Sequence, residues 1–502
     1  IIRYFDFAFR NNLLQKQAIT AKNIEDFCRK DQLQTVNTKQ TRNDLIDEIL
    51  MTYPLDVPVL WNLNYIIYRY GHLNDAIKKH YGFNLYTLIF VERAIRELIY
   101  SCGMNFELLD IVRIFESKLE YADICSIVEP DYTYRVLWQK CIFVPEEVIV
   151  RHSLDLIESF FDTARAISTI KVPRKFDLNE LVSEIKAVLS FLSINATPKN
   201  EYTDFPLVFL KPLFKFHEKE ETFYAIPFPS LLGSLTVFRV ELMIQESEEI
   251  RNIEDSSKRG KGGIAERLAL DSLKIFPLEN IIRDFRYKIG GNEYQSDGLL
   301  ILKKSIWAIE VKGHPMFRKI PLNPERIIPE FNEKVKEGLK QGFRALDALA
   351  SLKKFQYHMS HLDKRFNKMQ KGVIIVLDGY LPTLFTQNKR VDEFLGTHVI
   401  YNYIRNDYRV YVTTIMDLFL LSSQPDTHNF EQFLLWRTGY LGRMPIIAYN
   451  EREYWAYFND VYLMHKDARK IFPKLVENEI TIVYISARFN FKKHLAKILN
   501  SK

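Results

Sequence analysis

Three positions in this chain have the residue types and spacing of a hydrolytic site. Asp297 lies in the run Ser296-Asp297-Gly298-Leu299-Leu300-Ile301, and thirteen residues after it Glu310 opens Glu310-Val311-Lys312-Gly313. Side chains alternate along a strand, so Glu310 and Lys312 share one face while Ile309 and Val311 take the other, toward a core. If the two runs adjoin as antiparallel strands, Asp297 stands beside the pair. Charges converging at a sheet edge are costly unless they pair or bind metal. Two carboxylates in reach of one another make a hard-oxygen site for Mg²⁺ or Mn²⁺, to which the backbone carbonyl of Val311 would add. Such an ion lowers the pKa of a bound water and stabilises charge on a transferring phosphoryl group. Lys312 would orient the water or offset transition-state charge. Glu-x-Lys alone is equally the pattern of an edge strand with a surface salt bridge, so the weight rests on the combination.

The elements that must position these residues are legible around them. Ile264–Leu273 has Ile264, Ala265, Leu268, Ala269 and Leu273 on one helical stripe, with Glu266 in its first turns. Ile281–Ile289 reads as a strand, Gly290-Gly291-Asn292 as a hairpin turn, Tyr294–Leu302 as the return strand and Ile306–Lys312 as a third strand. Gly313–Pro329, with four prolines, reads as a loop, and Phe331–Phe355 as a long amphipathic helix. Gly372–Leu377 is a short buried strand, and His398–Arg405 and Tyr408–Ile415 are two more. Helix–strand–strand–strand–helix–strand is an α/β sandwich in outline.

Asp297 with Glu310-x-Lys312, preceded by Glu266 on a helix, resembles the PD-(D/E)xK nuclease superfamily, the restriction-endonuclease-like fold. The Gly-Gly-x-x-Glu helix, Gln295-x-Asp297 and the Ile309-Glu310-Val311-Lys312-Gly313 strand look most like its nuclease-related-domain and Mrr-like branches. The resemblance spans roughly residues 258–418. It implies an α/β/α core, a Mg²⁺ or Mn²⁺ ion held by Glu266, Asp297 and Glu310, and phosphodiester hydrolysis, of DNA ahead of RNA. Some members carry a Gln on the following helix, a part Gln341 would fill. The Gln-x-x-x-Tyr form is not matched, because Ala345 occupies the last position.

Charge agrees with a polyanion partner. Residues 251–375 carry 25 basic and 15 acidic side chains, whereas the rest of the chain carries 44 and 48. A basic stripe is the electrostatic footprint of nucleic acid, although a solvated surface looks the same in sequence. Lys258, Arg259 and Lys261 precede a helix start, where charge and helix N-terminus both favour phosphate, and His314 follows the Glu-x-Lys strand. No Walker spacing is present, so nucleotide hydrolysis is not supported. His358 and His361 lie three apart with no third ligand near in sequence. The 36 Phe, 27 Tyr and 5 Trp are spread along the whole chain and mark no site.

The 502 residues imply several domains. The reading is a mainly helical region over 1–250, the nuclease-like domain over 251–421 and a largely helical extension over 422–502. In the first region Tyr65–Tyr70, Leu85–Tyr100 and Val148–Ile167 have helical periodicity, Leu207–Phe216 and Phe223–Phe228 a hairpin pattern, and Ser230–Glu248 a further helix. Asn105–Val144 reads as mixed and helical, and Glu246–Gly263 as a polar boundary loop. The four cysteines, Cys28, Cys102, Cys125 and Cys141, form no Cys-x-x-Cys pair, which points to a reducing, cytoplasmic setting and away from a disulfide framework or structural zinc. No apolar run is long enough to span a membrane. The expectation is a regulated metal-dependent nuclease, with restriction or phage defence as the analogy and the N-terminal region open to oligomer or protein contacts. The rivals are a nuclease fold that only binds nucleic acid or protein, and an RNA-cutting member of the superfamily.

Overall fold

A computed structural model describes residues 59–102, 113–114, 142–166, 177–195, 211–218, 221–226, 232, 236–256, 261–276, 280–312, 324–351, 368–378, 385–405, 407–422, 426–448, 450–477 and 482–483. They fall into two compact units, one within Pro54–Ser257 and one within Lys258–Lys502.

The first unit combines helices with a sheet. Helices α1 (Val59–Tyr70), α2 (Asn74–Tyr81), α3 (Leu85–Cys102), α4 (Glu146–Ala166) and α5 (Leu178–Phe191) take up most of the expected helical stretches, followed by α6 (Thr236–Glu246) and α7 (Glu248–Ser256). Strands β1 (Arg113–Ile114), β2 (Ile142–Pro145), β3 (Ser193–Asn195), β4 (Leu213–Glu218) and β5 (Glu221–Ile226) form one sheet in the order β1-β2-β5-β4-β3. The β4–β5 hairpin is antiparallel, as its sequence predicts. Two expectations change. The end of Asn105–Val144 enters the sheet through β2, because Ile142, Phe143 and Val144 pair with β5. The polar boundary Glu246–Gly263 contains helix α7, whose Ile250 and Glu254 are buried. Glu254 makes that burial tolerable by pairing with Arg69 at 2.9 Å and His72 at 2.7 Å.

In the second unit α8 (Lys261–Leu273) buries Ala265, Leu268, Ala269 and Leu273 of the expected stripe together with Leu270, whereas Ile264 is only half-buried. Strands β6 (Asn280–Ile289) and β7 (Asn292–Ile301) form an antiparallel hairpin. Gly290 and Gly291 turn it with φ of 56° and 85°, a backbone only glycine adopts freely at both positions. Strand β8 (Ser305–Lys312) returns antiparallel to β7. Helix α9 (Pro324–Ser351) then crosses to β9 (Gln370–Leu377), parallel to β8, and β10 (Arg409–Thr414) adds parallel to β9. The order is β10-β9-β8-β7-β6. Both faces are covered. Gly298 of β7 lies under Leu270 of α8, and Gly338 of α9 lies against Ile375 of β9. Residues of β8 alternate between these layers: Ile309 packs by Gly298, and Glu310 pairs with Ile375. The result is a mixed α/β unit with β8 at the centre of the sheet.

Two further expectations change here. Helix α9 starts at Pro324, inside the stretch read as loop. Proline is tolerated at a first helical position, and Ile327, Ile328, Phe331 and Val335 bury an apolar stripe that carries the helix past Pro329. His398–Arg405 is not a strand: His398–Tyr403 is a 3₁₀ turn. It follows α10 (Lys389–Leu395), closed by Gly396 at φ 81°, and is held by the Tyr401 hydroxyl donating to Asp392 at 2.6 Å.

Residues after β10 stay in this unit. The position read as a boundary at 421 falls inside α11 (Ile415–Ser422). Beyond it come α12 (Phe430–Arg437), β11 (Ile446–Ile447), α13 (Glu451–Ala456), a π-helical turn over Tyr457–Leu463, α14 (Lys466–Glu477) and β12 (Ile482–Val483). Phe430 stacks on Phe276 with ring centroids 3.8 Å apart. Arg437 is buried, donates to Glu451 at 3.0 Å and to the carbonyl of Thr386 at 3.2 Å, and so ties this segment to the chain that leads into α10.

Candidate active site at a break in the sheet

The site forms where regular pairing of β6, β7 and β8 stops. In the β6–β7 ladder Arg283 pairs with Gly298 and Phe285 with Ser296, but Asp284 and Asp297 between them form no bridge. Asp284 sits at φ 51°, a left-handed backbone uncommon outside glycine. In the β7–β8 ladder the last pair is Gly298 with Ile309. Gly298 faces α8, whereas Tyr294, two pleats earlier, meets Arg344 of α9. Residues at even spacing should share a face, so the pleat of β7 changes sides at Asp297. That reversal lets acidic groups from the α8 layer and from the α9 layer approach one another.

The ladder bond lost beyond Ile309 is replaced by a side chain. The Val311 N–H donates to Asp297 Oδ2 at 2.6 Å. Val311 therefore meets Asp297 through its amide. Glu310 is 2 % exposed and Lys312 9 %. The Ser296 hydroxyl donates to Glu310 Oε1 at 2.8 Å, and Lys312 Nζ donates to Glu310 Oε2 at 3.2 Å. Lys312 Nζ also donates to Gln341 Oε1 of α9, and it stands 3.9 Å from Glu337, one turn earlier. Glu310 and Lys312 thus share a face as their spacing predicts, and Gln341 joins them from the helix.

Electrostatics mark the cluster as crowded with negative charge. Burial, reinforced by Asp297 and Asp284, pushes Glu266 up to about 7. Burial raises Glu310 to about 7 against the opposing pull of Lys312. Asp297 is raised chiefly by burial, while the Val311 amide and Lys312 act the other way. Burial disfavours the charged form of each carboxyl, and neighbouring carboxylates add to the rise. Among the described residues, Asp297 Oδ1 and both Glu266 oxygens receive no hydrogen bond.

This donor set fits a hard divalent ion in one respect. Two carboxylates with unspent oxygens are what Mg²⁺ uses when water and substrate phosphate complete its shell. A full three-carboxylate cage is not assembled: among the described residues no group of three His, Cys, Asp or Glu side chains has metal-holding geometry. Glu310 instead faces Ser296 and Lys312.

Sequence reasoning missed Ser296, Asp284 and Glu337. Ser296 adjoins the motif and is visible only once the strand pairing is known. Asp284 needed the register of the hairpin, and Glu337 lies four residues before Gln341, the signal of a shared helix face. Lys261 is the first residue of α8. Lys258, Arg259, His314, His358 and His361 lie outside the described residues. Among the described residues no helix is long and apolar enough to cross a membrane. Comparison with protein-family models, curated proteins and solved structures returned no match.

Proposed function

We propose that this chain is a metal-dependent nuclease that hydrolyses phosphodiester bonds, of DNA ahead of RNA, at the cluster of Glu266, Asp297, Glu310 and Lys312. The observation that carries this reading is the convergence of three acidic groups and one lysine at the pleat break, deep enough that their charges are costly without a further task. The order α8, β6, β7, β8, α9, β9, with β8 central, matches the outline of the restriction-endonuclease-like fold and supports the same reading.

In this proposal Glu266, Asp297 and Glu310 would hold Mg²⁺ or Mn²⁺, and such an ion would lower the pKa of water and offset phosphoryl charge. The protein's own groups do the positioning. The Val311 amide holds Asp297 through Oδ2, and Oδ1 receives no hydrogen bond among the described residues. Ser296 anchors Glu310. Gln341 accepts from Lys312 and so aims its ammonium along the face where α9 meets β8. A cation held there by neutral and anionic partners can stabilise a pentavalent phosphate at the moment negative charge grows.

A binding module without catalysis is the second reading. One observation favours it: Lys312 is already engaged by Glu310 and Gln341. Incubation of the protein with plasmid DNA and with structured RNA, in Mg²⁺ and in EDTA, separates the two. The nuclease reading expects cleavage in Mg²⁺ alone and its loss in Asp297→Ala. Binding of both polymers with no cleavage in Mg²⁺ or Mn²⁺ would favour the module. A regulated effector, as in restriction or phage defence, is the role that the attached unit of residues 54–257 fits by analogy.

A further inference from the structure

Helix α9 places Glu337, Gln341 and Arg344 along one stripe, at helical spacings of four and three. The first two face Lys312. Arg344 reaches the hairpin instead. Its guanidinium lies over the Tyr294 ring at 4.1 Å from the centroid, and its Nε donates to the Tyr287 hydroxyl at 3.3 Å. Tyr287 and Tyr294 are cross-strand partners, stacked with centroids 5.8 Å apart. Phe285 continues the stack below Tyr287, 5.5 Å away. Tyr294 lies two residues before Ser296, the residue that donates to Glu310. The hydroxyl of Tyr287 feels this neighbourhood: burial raises its pKa, the Glu310 charge adds to the rise, and Arg344 opposes it.

A ring beneath and a hydroxyl at Nε fix both the plane and the rotation of the guanidinium. Both contacts are neutral, so its charge is not cancelled. Among the described residues neither terminal Nη group of Arg344 has a hydrogen-bond partner, and no carboxylate pairs with it. Two other arginines of this unit are paired with carboxylates. Arg405 is paired with Asp347 and Asp407, and Arg437 with Glu451. An ordered fork of two N–H donors that no protein acid claims matches the two non-bridging oxygens of a phosphodiester.

We propose that Arg344 is a substrate-binding residue of the nuclease site, whose two Nη groups take a backbone phosphate next to the one that is cut. The inference rests on the nuclease reading and extends it. The catalytic carboxylates repel a polyanion, and a fixed cation on the adjacent stripe of α9 supplies the attraction that holds the strand in register. A contact of this kind to a backbone phosphate positions the strand without reading base identity.

The test is the salt dependence of binding to a short DNA duplex and to an RNA hairpin, with Ca²⁺ replacing Mg²⁺ to prevent cleavage. Parent, Arg344→Gln and Arg344→Lys are compared, with a melting curve for each. Loss of one phosphate contact should make the slope of log affinity against log salt on duplex DNA less steep by about 0.9 in Arg344→Gln. Arg344→Lys keeps the charge and the stem but not the fork, so its slope should match the parent while affinity falls several-fold. A lowered melting temperature in Arg344→Gln with an unchanged slope would mean that the side chain only packs the helix on the hairpin, and would overturn the inference. Parent-like affinity of Arg344→Lys would do the same if Arg344→Gln does not fold. If the parent binds neither polymer, the nuclease reading falls with it; if the parent binds but neither variant differs from it, the inference fails alone.

Discussion

Replacing Lys312 by methionine isolates the electrostatics of the site, because the apolar stem is kept and only the ammonium is lost. In the metal-free protein this ammonium is the cation nearest Glu310, at 3.2 Å, and both side chains are almost fully buried. Glu310 already sits at about 7 instead of 4.5, so at alkaline pH its ionised form costs the fold about 3 kcal/mol relative to the unfolded chain. The sign follows from the direction: a carboxyl raised in the folded state penalises stability fully above its folded pKa, and the penalty is relieved as pH falls from about 7 toward 4.5. Without Lys312 the carboxyl stays neutral to higher pH. At pH 6 it is mostly protonated with or without the lysine, and the two proteins differ only by lost hydrogen bonds. At pH 8 the parent has ionised Glu310, while the variant must hold it neutral. Each pH unit above the parent's pKa then adds ~1.4 kcal/mol to the difference. Denaturant unfolding of parent and Lys312→Met in EDTA should therefore show a gap that widens by about 1.4 kcal/mol between pH 6 and pH 8. On a Glu310→Gln background the widening should vanish. A gap independent of pH would refute the claim that Lys312 is what keeps Glu310 ionisable.

The same substitution should lower the turnover of a cleaving enzyme by about 10²–10³ at saturating Mg²⁺ while leaving nucleic-acid affinity within a few-fold, measured by single-turnover cleavage and gel shift. Asp392 is buried and raised by that burial from 3.8 to about 6, so its penalty of roughly 3 kcal/mol should be relieved as pH falls from 6 toward 4. Unfolding of parent and Asp392→Asn across that range should show the parent gaining on the variant, and parallel curves would count against the assignment. Gly342→Ala would drive a methyl to 2.5 Å from Val373 Cγ1 across the α9–β9 contact, and a loss of about 1–3 kcal/mol is expected in thermal melts. Glu451→Gln should destabilise by about 3–5 kcal/mol, because it leaves Arg437 charged and buried; a loss under 1 kcal/mol would show that water reaches the pair.

The β6–β7–β8 core was legible because its signals are local. Gly290-Gly291 can only turn a hairpin tightly, and the alternation of Ile309, Glu310, Val311 and Lys312 fixes which side chains share a face. The stripe of α8 was equally plain. What failed was local evidence set against tertiary packing. Four prolines argued for loop up to Pro329, yet α9 begins at Pro324 because Ile327, Ile328 and Phe331 have a sheet to cover. His398–Tyr403 alternates like a strand but winds as a 3₁₀ turn held by the Tyr401 hydroxyl on Asp392, and β10 takes the place beside β9. The polar run before α8 hid helix α7, whose buried Glu254 is intelligible only beside Arg69 and His72, far away in sequence. The site shows the same division. Glu310 and Lys312 were paired by spacing, whereas the reversal of the pleat at Asp297 and the place of Asp284 opposite it depend on strand register that no short window contains.

Burial of charge alone does not distinguish a site from scaffolding, and this unit contains two buried charged clusters that differ in how fully their polar atoms are used. Arg437 and Glu451 are as buried as Glu310 and Lys312, but Arg437 uses its guanidinium fully: it bonds Glu451 through Nε and Nη2, the carbonyls of Phe385 and Thr386, and lies 3.8 Å over the Tyr454 ring. Such a pair locks segments together and leaves nothing for a ligand. At the pleat break the balance is different. Glu310 and Lys312 sit on the central strand, where continuous apolar side chains would be expected and would be more stable. Nearby, Glu266 and one oxygen of Asp297 carry negative charge with no donor among the described residues, and Asp284 adds to it. A fold that tolerates raised carboxyl pKa values, a left-handed aspartate and an interrupted ladder in one place breaks several local rules together, which is the pattern expected where function sets the sequence. On the proposed reading, the unspent oxygens, more than the buried charges, mark this cluster as a candidate site.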